Sequence, residues 1–118
     1  MSMEPQFAKD FIGGHSLSPL YAVIDHATSG DNTLVAAVAG RKIRVLALNI
    51  TAAGAVLVRF ESAAGGTALT GQMSMAANAE KTLPFNPAGW FETLAGELLN
   101  MELGGAVSVD GCLVYAFV

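Results

Sequence analysis

The sequence predicts an all-β chain, an antiparallel β-sandwich or jelly roll of about eight to ten short strands behind an N-terminal arm. Three observations carry this expectation. Apolar and β-branched runs recur about every ten residues, with Gly, Pro and Asn between them. One run alternates strictly, with Val56, Val58 and Phe60 on one side and Leu57, Arg59 and Glu61 on the other, as a half-buried strand does. Residues 41–61 as a whole form two β-rich runs joined by Ala52, Ala53, Gly54 and Ala55, which reads as a hairpin at the centre of the sandwich.

The first of those two runs breaks its own phase. Ile43 and Val45 alternate with Lys42 and Arg44, but Leu46, Leu48 and Ile50 take the opposite parity. Either a bulge shifts the strand or its middle is covered on both faces.

Residues 1–20 differ from the rest and read as an arm, with residues 21–118 as the sandwich domain. Pro5 and the pair Gly13 and Gly14 bracket Phe7, Phe11 and Ile12, which are spaced about one helical turn apart. The spacing predicts a short helix over 5–12 that must dock on something, because so few residues do not hold a helix alone in water. Residues 21–25 form a first strand, and Gly30, Asp31 and Asn32 supply a tight bend after it. Further strands are expected over 33–39, 67–69, 72–76 and 80–85, with a turn at Ala77, Asn78 and Ala79, and with Pro84 and Pro87 closing that region.

Residues 90–103 support two readings. Phe91, Leu94, Ala95 and Leu98 have helical spacing, whereas Leu99, Met101 and Leu103 alternate as a strand does. Gly96 weakens the helix by about 1 kcal/mol relative to alanine and suits a turn. Asp110 and Gly111 then read as a hairpin turn, and residues 112–118 as a final strand that is apolar on both sides.

Composition narrows the function. Charged residues are 14% of the chain, against roughly a quarter in a typical soluble domain, and mean hydropathy is +0.49. A chain so short of polar groups is expected to bury part of its surface on other subunits. The net charge of −4 argues against nucleic acid as a partner, and no apolar run has the length of a membrane span. A basic start followed by an apolar stretch is not visible at the N-terminus, so no secretory signal is expected. The single Cys112 excludes an internal disulfide and, sitting in an apolar run, reads as a buried structural thiol.

Few residues carry reactive chemistry. Asp25, His26 and Asp31 are the one group with a metal-ligand flavour, yet they match no accepted ligand spacing. No nucleophile elbow and no phosphate-binding glycine loop is present in the sequence. The chain is therefore expected to be no enzyme, with no catalytic residue, metal or cofactor. Arg41, Lys42, Arg44 and Arg59 form one cationic patch if their strands are neighbours; the simpler reading is a solvated edge that discourages stray strand pairing. Trp90, beside Phe91 and a Pro87-Ala88-Gly89 turn, either caps the open end of the core or serves as a recognition platform.

Three segments carry a family resemblance: Ser29-Gly-Asp-Asn-Thr continuing to Leu46, Leu83-Pro-Phe-Asn-Pro-Ala-Gly-Trp-Phe-Glu-Thr93, and Ala95-Gly-Glu-Leu-Leu-Asn100. With the closing Val109-Asp-Gly-Cys-Leu-Val-Tyr115, their order and spacing resemble small β-sandwich structural proteins of tailed bacteriophages. The resemblance covers about residues 28–118 and leaves out the arm. Leu94 and the pair Leu98 and Leu99 depart from it, being bulkier than the small residues usual there. It implies a virion component, a capsid decoration or cement protein that clamps the major capsid protein from outside, commonly as a homotrimer. It also favours strand over helix for residues 97–103. Candidate interface residues are then Phe7, Phe11, Ile12, Arg41, Lys42, Arg44, Arg59 and Trp90. The alternative is a tail or fibre module that recognises a host glycan, with Trp90 as the stacking platform.

Overall fold

The computed structural model describes residues 11–12, 15–16 and 18–118, the first four by backbone alone. Strands β1 (Phe11–Ile12) and β2 (His15–Ser16) pair antiparallel. The end of the expected 5–12 helix is therefore extended; Phe7 and the rest of that helix lie outside the described residues. Two five-stranded antiparallel sheets follow and pack face to face as a β-sandwich.

The front sheet is built on β5 (Ile43–Ala52), β12 (Val109–Phe117) and β3 (Leu20–His26), in that order. Two short strands, β9 (Glu80–Leu83) and β10 (Phe91–Glu92), lie in tandem along the free edge of β5. The back sheet repeats the plan. It runs β6 (Val56–Ser62), β11 (Leu99–Leu103) and β4 (Gly30–Val35), with β7 (Thr67–Ala68) and β8 (Met73–Met75) in tandem along β6.

β5 and β6 do not form the expected hairpin. They stand in opposite sheets, and Ala53, Gly54 and Ala55 form an arch across the end of the sandwich. Both strands have inward apolar rows, Ile43, Val45, Leu48 and Ile50 against Val56, Val58 and Phe60. Facing one another across the core buries both rows, whereas pairing side by side would leave each row searching for another cover. The arch is held by the Ala53 amide donating to the Ser108 carbonyl at 2.9 Å.

The irregular phase of β5 is a bulge. Val114 pairs with Ala47 and Tyr115 with Val45, so Leu46 is the extra residue. The turn between β9 and β10 is fitted to this bulge, with the Asn86 amide donating to Leu46 and the Trp90 amide to Val45.

Other corrections have equally local causes. Gly30, Asp31 and Asn32 begin β4 rather than forming a bend, because the Asn32 amide group satisfies the turn from inside by donating to Thr28, Gly30 and Met101 carbonyls. β4 accordingly ends at Val35, short of the expected residue 39. Residues 90–103 are strand, turn and strand, with Gly96 at φ +78° supplying the turn that the glycine signal indicated. Asp110 and Gly111 lie inside β12 instead of at a turn. A Cβ at Gly111 would fall on the Asn49 carbonyl of β5, so this glycine marks a close approach of two strands.

Candidate interaction surfaces

The four clustered basic residues are divided between the two sheets. Arg44 points outward from the front sheet and donates to Glu92 at 2.8 Å, and Lys42 reaches the other oxygen of Glu92 at 3.4 Å. Partial burial works against the Glu92 charge, but the hydrogen bonds and charges of Arg44 and Lys42 outweigh it and hold this carboxyl below the usual range. Arg41 donates to the Phe117 carbonyl and lies over the Phe117 ring. Arg59 is on the outer side of the back sheet. The single cationic patch does not form.

Arg59 instead anchors a polar network. Its guanidinium pairs with Glu61 at 2.8 Å and with Glu102 at 2.5 Å. Its desolvation is outweighed by these two carboxylates, Glu102 foremost, which raise its pKa. Glu61, 1% exposed, also accepts from the Asn100 amide at 2.9 Å. Asn100, fully buried, donates as well to Asp31 and accepts from the Asn32 backbone amide. Register explains this convergence: Asn100 sits opposite Glu61 on one side and Thr33 on the other, while Glu102 sits between Arg59 and Asp31. The outer face of the back sheet thus satisfies its own polar groups.

The outer face of the front sheet is of another kind. Side chains alternate along its strands so that Tyr21, Val23 and Asp25 of β3 point outward beside Val114, Cys112 and Asp110 of β12. Tyr21 is 80% and Val23 73% exposed. Cys112 is an exposed free thiol, so the expectation of a buried structural cysteine is wrong. The β12 run is apolar on both sides because one side is core and the other lies open. Ala47, Cys112, Val114 and Pro84 line a shallow hollow of about 230 Å³ on this face.

Charge is graded along the same face. At the end where β3 finishes and β12 begins, Asp25, Asp110 and Glu80 all project outward. At the opposite end stand Lys42 and Arg44 with Glu92. Roughly 20 Å of strand separates the two ends, at about 3.3 Å per residue from Thr51 back to Arg44.

The basic end of the sandwich also gathers exposed apolar side chains. Leu20, Val38 and Leu94 are each at least two-fifths exposed there, near exposed Arg41. The Gly96 amide, two residues beyond Leu94, donates to the Arg41 carbonyl, which ties the 93–98 turn to this end. The start of β3 lies here too, with Leu20 opposite Tyr115.

Trp90 lies half over the core and half in solvent. Its indole N–H donates to the Pro84 carbonyl at 2.8 Å, and the ring remains 43% exposed. With Leu48, Phe60, Leu69, Met73, Leu83 and Phe91 it lines a cavity of about 220 Å³ between the sheets, beside stacked Phe60 and Phe91.

Asp25, His26 and Asp31 are not brought together: Asp31 is engaged by Asn100, and no group of three potential ligands converges among the described residues. Among those residues, no helix is long and apolar enough to cross a membrane. The exposed face made by Tyr21, Val23, Cys112 and Val114 has no counterpart among the candidate interface residues. Its signal in the sequence is a pair of strands, 20–26 and 109–117, that are apolar on both parities. No protein-family model matches the chain, and no curated protein matches it significantly.

Proposed function

We propose that the chain is a structural protein of a bacteriophage particle, a capsid decoration protein that docks on the outside of the major capsid protein and stabilises the head. The observation that carries this reading is the basic end of the sandwich, where Leu20, Val38 and Leu94 stand exposed beside Arg41 and Lys42. An apolar cluster rimmed by cations is suited to an acidic, partly apolar protein surface. In this reading the N-terminal arm, with Phe7, Phe11 and Ile12, is a second contact with the capsid. The low charge content and the sequence resemblance to phage sandwich proteins support the same role.

Many copies acting together make a modest individual contact effective. Counting this chain in purified particles by mass spectrometry tests the reading: hundreds of copies per particle are expected, and a dozen or fewer would overturn it in favour of a tail component. Leu94→Asp with Val38→Asp should leave the sandwich folded and weaken binding to undecorated heads at least tenfold. Removing residues 1–17 should also weaken binding while β3 stays intact.

The glycan-recognising tail module remains the second reading, with Trp90 as its observation. Its cavity is lined mainly by Leu, Met and Phe side chains, which suits an apolar side chain better than a sugar hydroxyl array. Loss of glycan binding in Trp90→Ala would favour it.

A further inference from the structure

We propose that the outer face of the front sheet is the contact between two copies of this chain, packed face to face and turned end for end about a two-fold axis. The inference stands apart from the virion reading, which uses the end of the sandwich rather than the middle of this face; Lys42 lies on the rim that the two surfaces share.

The face has what such a contact needs. Its middle is apolar on β3 and β12, with Val23, Cys112 and Val114 exposed or half-buried beside Ala47 of β5 and Tyr21 almost wholly exposed, while Asn49 and Thr82 of β5 and β9 bond to each other at its polar flank. Large apolar side chains so exposed on regular strands cost solubility unless something covers them. Among the described residues β3 is an edge strand, and its seven residues contain no Lys, Arg or Pro, the residues that ordinarily protect a strand from a second chain.

The charge gradient selects the occupant and its orientation. Asp25, Asp110 and Glu80 mark one end, and Lys42 with Arg44 exceed Glu92 by one positive charge at the other. A second copy laid with its strands in the same direction would set six carboxylates of the two copies against one another (three from each). Reversing it sets each acidic end over the partner's basic end, so the face is complementary to itself in that orientation alone. The middle row, Cys112 and Val114, then lies nearest the axis. The face is four strands wide, about 20 Å by 20 Å, which is small for a stable interface and implies association that depends on concentration. This two-fold pair takes the place of the homotrimer that the sequence resemblance implies.

Charge exchange between two variants of the full chain tests the proposal. Asp25→Lys with Asp110→Lys makes one variant, and Lys42→Glu makes the other; all three positions are outward on the front sheet or at its rim. In sedimentation velocity the native chain is expected to pass from monomer to dimer with rising concentration. Each variant alone should associate at least tenfold more weakly, and an equimolar mixture should regain dimerisation, because each then meets its opposite. Restoration in the mixture cannot come from misfolding of either variant. The Cys112 thiol gives an independent reading: its reaction with a thiol reagent should slow as the dimer forms. A chain that is monomeric throughout with a fully reactive thiol, a trimer, or a mixture no stronger than its components would each overturn the proposal.

Discussion

The two outer faces of this sandwich are built on the same plan of three main strands and two short ones in tandem, yet they solve the problem of surface in opposite ways. On the back sheet, charged and amide side chains turn toward one another: Arg59 holds Glu61 and Glu102, and Asn100 joins Glu61 to Asp31. On the front sheet the same outward positions hold Tyr21, Val23, Cys112 and Val114, with charges only at the two ends. The first face is complete as it stands, and its residues belong to the stability of the fold. The second leaves apolar area in water, and its residues contribute little to the isolated chain. Burial of a polar group without a partner is costly, whereas exposure of an apolar one is merely unfavourable. A face that is satisfied internally therefore announces structure, and one left open announces association.

Substitution separates these roles, and the largest effect is expected at Asn100. Asn100→Leu removes the donor to Glu61 and Asp31 and orphans the buried Asn32 amide. Urea unfolding should show a loss of about 3–5 kcal/mol, the range for breaking a buried charged network. Gly111→Ala comes next, since its methyl group has no space beside the Asn49 carbonyl and β12 must shift from β5. A loss of about 2–3 kcal/mol is expected in the same measurement; native stability in this variant would mean the two strands are not in such close contact.

Glu92 gives a smaller and pH-dependent effect. Its folded pKa lies below the unfolded value, so its contribution is present above the unfolded pKa and disappears as pH falls through the lowered folded one. Glu92→Gln should flatten the acid limb of the stability profile by under about 1 kcal/mol, as the Glu92 side chain is a third exposed. The smallest effect belongs to the open face. Val23→Lys should change monomer stability by less than about 0.5 kcal/mol while strongly reducing self-association. A large destabilisation there would erase the distinction between the two faces.

The strands and their inward rows were legible in the residues, the contrast between the two outer faces was not, and the failures share a cause. Alternation in β6 gave the inward row of Val56, Val58 and Phe60 directly, and the broken phase of β5 pointed to the bulge at Leu46. Gly96 correctly favoured a turn over a helix. Arch and hairpin, however, have the same local requirement, two strands and a short link of small residues, so Ala53, Gly54 and Ala55 could not distinguish them. Asp110 and Gly111 misled for a similar reason: the pair that favours a tight turn also fits where a neighbouring backbone comes too close for a Cβ. Cys112 was assigned to the core because its neighbours are apolar, although in a strand those neighbours alternate between the core and the open side. The polar network was hidden because Asp31, Arg59, Glu61, Asn100 and Glu102 meet only through registers between strands distant in sequence.

The arch between β5 and β6 also governs how the chain comes to be folded. Since neighbours in sequence are sent to opposite layers, β5 waits for β12 as its long partner, and β6 waits for β11. β12 is last in sequence order, yet it sits between β3 and β5 and is the middle of the front layer. That layer stays without its central strand during synthesis until β12 has emerged. Loop closure over such distances is slow, and the unpaired edges of β3 and β5 are open to wrong partners meanwhile. The pairing edge of β3 is thus exposed earliest and paired last, which makes β12 docking the step at which native folding and aggregation compete.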